Sequence, residues 1–79
     1  METYYLSLCQ GLVGYFVKFL APSESAVRQH AAKYFGKLWC SVYTESYFHE
    51  VLRRRHGTSG TKVVNPYKPI IVNEDGELL

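Results

Sequence analysis

The chain has 79 residues, 47% hydrophobic and 15% aromatic, with a formal net charge of +2. That is room for one small domain, and too little excess charge to argue by itself for nucleic acid, which calls for a strongly basic face. Cys9 and Cys40, the two cysteines, fall far short of a disulfide scaffold and match no zinc spacing; residues 1–22 show neither a basic n-region nor the arginines of a transit peptide.

The stretch LSLCQGLVGYFVKFLAP, Leu6 to Pro22, is apolar apart from one amide, one ammonium and a few small residues. Placed on a helix over about residues 3–20, its aromatic and aliphatic side chains cover well over half the circumference. The remaining strip is Thr3, Ser7, Gln10, Gly11, Gly14 and Lys18. Pro22 disfavours helical backbone at Ala21 and closes the segment. A helix apolar nearly all round is buried in a large protein or in lipid, and a chain this short cannot wrap it alone. The length is at the short end of a membrane span, and Ser7, Gly11 and Gly14 make the small-residue strip that lets another helix approach. A self-contained soluble helical hairpin is the alternative.

Ser23 reads as an N-cap with Glu24 in the first turn, opening a second, amphipathic helix over about residues 24–55 that stops at Gly57. Val27, Ala31, Tyr34, Phe35, Leu38, Trp39, Val42 and Tyr43 share one face. After Thr44 the phase breaks, and Tyr47, Phe48, Val51 and Leu52 fall on the formerly polar side. The pattern predicts a kink or restart near residues 44–46, with Trp39, Tyr43, Tyr47 and Phe48 as contact anchors on two faces.

Residues 57–79 hold three of the six glycines and two of the three prolines, without helical period. They read as an extended arm with Ile70, Ile71 and Val72 as its attachment. The last piece, IIVNEDGELL, carries turn chemistry suited to a small hairpin. Gly57-Thr58-Ser59-Gly60-Thr61-Lys62 lacks the preceding strand and the spacing of a phosphate loop and reads as a hinge.

Arg53, Arg54 and Arg55 are the one charge run. Cations there complement a helix C-terminus, and they also suit phosphates or lipid headgroups. No histidine, cysteine or carboxylate set has ligand or catalytic spacing, so no catalytic residue, metal or cofactor is expected.

The sequence thus predicts a mainly α chain in three segments, 1–22, 23–56 and 57–79. The expected role is a small non-catalytic structural subunit packing between larger protein subunits of a membrane-associated complex. The mitochondrial inner membrane is the candidate location, lipid an additional contact, and Ser7, Gly11 and Gly14 the packing strip. The rival is a soluble accessory module that binds nucleic acid through the basic helix end.

Overall fold

The computed structural model describes all 79 residues, Met1–Leu79. The stretch expected as one apolar helix is two strands. β1 spans Glu2–Leu8 and β2 spans Tyr15–Ala21, paired antiparallel with Tyr4 opposite Phe19 and Leu6 opposite Val17. Tyr, Phe and Val suit a pleated surface. Between the strands Gln10, Gly11 and Gly14 take φ of 58°, 89° and 94°, a left-handed backbone that reverses the chain and that a right-handed helix cannot contain. Gly11 and Gly14 are therefore turn residues, not a helix-crossing strip.

The second predicted helix is a helix, a strand and a second helix. α1 spans Glu24–Tyr34 and is capped by the Ser23 hydroxyl, which accepts the Ala26 N–H at 3.2 Å. Gly36, at φ 54°, lies just past its end. β3 follows as Trp39–Thr44. The phase break near residues 44–46 is a strand-to-helix junction: the Thr44 hydroxyl accepts the Tyr47 N–H at 3.2 Å and opens α2. α2 runs through Glu45–Tyr47, a π-helical turn at Phe48–Leu52 and Arg53–His56, ending at Gly57.

The arm supplies two short strands, β4 (Lys62–Val63) and β5 (Ile70–Ile71), both parallel to β2 and lying in sequence along its outer edge. Between them the Asn65 side chain takes the place of a strand. Its Oδ1 accepts the Lys18 N–H at 2.8 Å, and its Nδ2 donates to the Lys18 carbonyl at 2.9 Å and the Lys68 carbonyl at 3.0 Å. Beyond β5 a tight turn at Asn73–Gly76 returns the chain so that Val72 bridges Leu78. Gly76, at φ 79°, lies so close to α1 that an added Cβ would stand 2.7 Å from the main-chain nitrogen of His30.

The strand order is β3-β1-β2-β4, with β5 also on β2. Alternation along the strands splits the apolar residues between two faces. On one face Tyr4, Leu6, Val17, Phe19 and Val42 pack against Ala26, Val27 and Ala31 of α1, together with Val72. On the other, Tyr5 and Phe16 pack against Phe48 of α2, with Tyr43, Leu52 and Val63 around them. The molecule is a small five-stranded mixed sheet between two short helices, which corrects the mainly α expectation and the helical description. The apolar side chains that a single helix could not shelter are divided between two cores the chain builds itself. No helix is long and apolar enough to cross a membrane. The expected membrane placement, the mitochondrial inner membrane included, rested on residues 3–20 as a helix and loses that basis.

Candidate functional site: an open strand edge beside an apolar cleft

The two edges of the sheet differ. The β2 edge is covered by β4, the Asn65 amide and β5, whereas no strand pairs with the outer edge of β3. On its inner side Ser41 faces the Ser7 hydroxyl, which accepts the Ser41 N–H at 3.0 Å and donates to the Ser41 carbonyl at 3.2 Å. Main-chain groups alternate sides along a strand, so the N–H and C=O of the next residue, Val42, point outward. The register shifts from Ser7 opposite Ser41 to Leu8 opposite Trp39, leaving Cys40 as a bulge. Neither proline nor lysine interrupts Trp39–Thr44, so only that bulge blunts the edge.

Beside this edge, on the α2 side, lies an open cleft of about 300 Å³, walled by Leu8, Val13, Phe16, Tyr43 and Leu52, with Ser7, Cys40 and His56 as its polar lining. Tyr43 continues outward into a stack with Tyr47, the rings 5.4 Å apart and 7° from parallel. Val13 is 81% exposed and Leu38 46% exposed, so the apolar surface extends past the cleft to the hairpin turn and the start of β3. A second hollow, of about 360 Å³ among Met1, Glu2, Thr44, Glu45 and Ser46, is polar and has two carboxylates. No group of three or more His, Cys, Asp or Glu side chains is placed to hold a metal ion.

The predicted contact residues are dispersed by the fold. Ser7, Gly14 and Tyr43 meet at the cleft, Tyr47 stands at its rim, and Gly11 lies in the turn. Trp39 is half-buried on the α1 core, with the Arg28 guanidinium 5.7 Å from its ring. Phe48 and Val72 are fully buried in the chain's own cores, and Ile70 and Ile71 pair with Phe19 and Leu20, so the arm attaches to its own sheet. Arg53 is also turned inward: its guanidinium lies 5.1 Å from the Phe48 ring, Nη2 is 3.5 Å from the Thr61 carbonyl, and the buried Nε has no partner. Arg54 and Arg55 are exposed.

Leu8, Val13, Cys40 and Leu52 are lining residues that a helical projection scatters. Their signal was the Gln-Gly…Gly turn, which makes a hairpin of residues 2–21. The strand register brings the two cysteines near each other: the Cys9 N–H donates to the carbonyl of Leu38, two residues before Cys40, at 2.7 Å, and the neighbouring Cys40 thiol raises the Cys9 pKa above the ordinary thiol value. Both cysteines are free.

Comparison with family models, with curated proteins and with solved structures finds no match for this chain.

Proposed function

We propose that this protein is a small non-catalytic interaction module that takes an extended segment of a partner polypeptide as an added strand on β3. One contrast carries the reading. The chain spends residues 62–72 closing one edge of its sheet and leaves the other edge open beside an apolar cleft. An added strand would take its affinity from main-chain hydrogen bonds at Val42 and its selectivity from alternate side chains entering the cleft. Lys37, just before β3, favours an apolar segment with an acidic residue at that end. This reading is narrower than the expected subunit packed between larger proteins of a membrane complex: it keeps only a non-catalytic contact with another polypeptide and names the strand that makes it.

Selection of displayed random peptides against the full chain, followed by amide exchange on each complex, tests it. The expected ligands alternate apolar residues next to an acid and slow exchange at the Val42 amide. Ligands that leave Val42 unchanged, or a selection that returns nothing above background, would overturn the reading.

A second reading rests on the opposite edge. Lys62 Nζ lies 6.0 Å from the exposed Tyr15 ring, Arg54 and Arg55 are exposed nearby in sequence, and Tyr67 is 93% exposed beside Lys68. Cations interleaved with aromatic rings suit single-stranded nucleic acid. Binding of a fluorescent oligonucleotide that falls steeply with salt would support this reading. Absence of binding at low salt would remove it.

A further inference from the structure

We propose that Cys9 and Cys40 form a dithiol pair that closes to a reversible disulfide between the end of β1 and the start of β3. The ladder brings them together. Leu8 is opposite Trp39, the Cys9 amide bonds to Leu38, and the bulge makes Cys40 the extra residue with no Cα partner of its own. Cys40 faces the cleft on the α2 side, and Cys9, two residues beyond Ser7, shares that side by alternation. Diagonal neighbours in a regular ladder stand at the limit of a disulfide's reach, and the added twist at the Cys40 bulge draws them closer. The Cys9 thiol also lies 3.2 Å from the Lys37 carbonyl, which it meets as a donor.

Access favours a defined order of events. Cys40 is exposed and Cys9 is half-buried, so Cys40 is the sulfur that an external disulfide meets first. With oxidised glutathione as oxidant, the Cys40 thiolate attacks one sulfur, the glutathione S–S bond breaks, and one glutathione thiolate leaves with the electron pair. Cys9 then gives its proton to solvent and attacks the Cys40 sulfur, expelling the second glutathione thiolate. Two protein thiols are oxidised and one glutathione disulfide is reduced to two thiols. The product pins the bulge at the cleft's lip. This proposal is independent of the strand-edge reading, because it concerns only the chain's own two sulfurs.

The test equilibrates the full chain in glutathione buffers of increasing oxidised share, quenches by acid and alkylation, and reads intact mass and joined peptides. In the wild type the main oxidised species should have lost two hydrogens and carry no glutathione, with the Cys9 and Cys40 peptides joined within one chain. In Cys9→Ser the Cys40–glutathione adduct should accumulate roughly tenfold or more above its wild-type level in the same buffer. Equal adduct in the two proteins, or joined peptides found only in covalent dimers, would overturn the proposal. Because Cys9→Ser is read by adduct level and not by stability, a loss of fold would be visible separately in its circular dichroism.

Discussion

The side-chain amide of Asn65 stands where the edge of the sheet lacks a strand, meeting both the N–H and the C=O of Lys18 and holding the Lys68 carbonyl as well. Removing it leaves part-buried main-chain groups without partners. Asn65→Ala should therefore cost about 1–3 kcal/mol in urea unfolding. Asn65→Asp should not restore the loss, since a carboxylate accepts from the Lys18 N–H but donates to neither carbonyl. Another residue-scale tie is the ion pair between Lys33 Nζ and Glu77, 2.7 Å apart, which joins α1 to the C-terminal turn. Its hydrogen bond with the Lys33 ammonium holds the Glu77 carboxyl below the usual carboxylate range, and the same contact raises Lys33. The contribution is then complete above the ordinary carboxylate range and is lost as pH falls through the depressed value; on the alkaline side it is lost as pH rises through the raised lysine value. Both side chains are half-exposed, so the effect is small. Glu77→Gln should lower the urea midpoint slightly at neutral pH, and the difference from wild type should vanish in acid.

At the scale of elements, α2 is held to the sheet by Phe48, whose ring stacks on Tyr5 at 3.9 Å and meets Phe16 edge-on at 4.9 Å. Phe48→Ala should cost about 3–5 kcal/mol and flatten the near-ultraviolet circular dichroism of these rings, measured against Tyr47→Ala, which changes a half-exposed rim residue. Three of the four helix boundaries were legible in the sequence, since Ser23 opens α1, Thr44 sits where the phase changes and Gly57 closes α2, but the end of α1 at Tyr34 was not. The Asn73–Gly76 turn was legible too. The strands were not. Tyr15–Ala21 is covered by a helix on each face, so it carries an almost continuous apolar run with no clean alternation, and such a run reads equally as a buried helix. Trp39–Thr44 is short and carried on the apparent helical face of the preceding segment. The deciding signals were local, in Gly11, Gly14 and Gly36, whose left-handed backbone ends what periodicity alone would have continued.

For the molecule as a whole, the difference between the two readings is one of where apolar surface goes. A helix over residues 3–20 would leave most of its circumference to other molecules. The sheet distributes the same side chains over two cores and leaves outside them the β3 edge, the cleft and the turn residues around Val13. The candidate site was legible only in part: Ser7, Gly14, Tyr43 and Tyr47 were singled out as contact residues, but the edge that unites them exists only once residues 39–44 are a strand. Residue-resolved amide exchange of the free chain, with cross-strand NOEs, tests this arrangement most directly. It should show contacts pairing Tyr4 with Phe19 and Leu6 with Val17, slow exchange along β1 and at the Asn65-bonded Lys18 amide, and alternation along β3 with Val42 fast and Tyr43 slow. Sequential helical contacts through Thr3–Leu20, or slow exchange at Val42 as well as Tyr43 in the free chain, would contradict it.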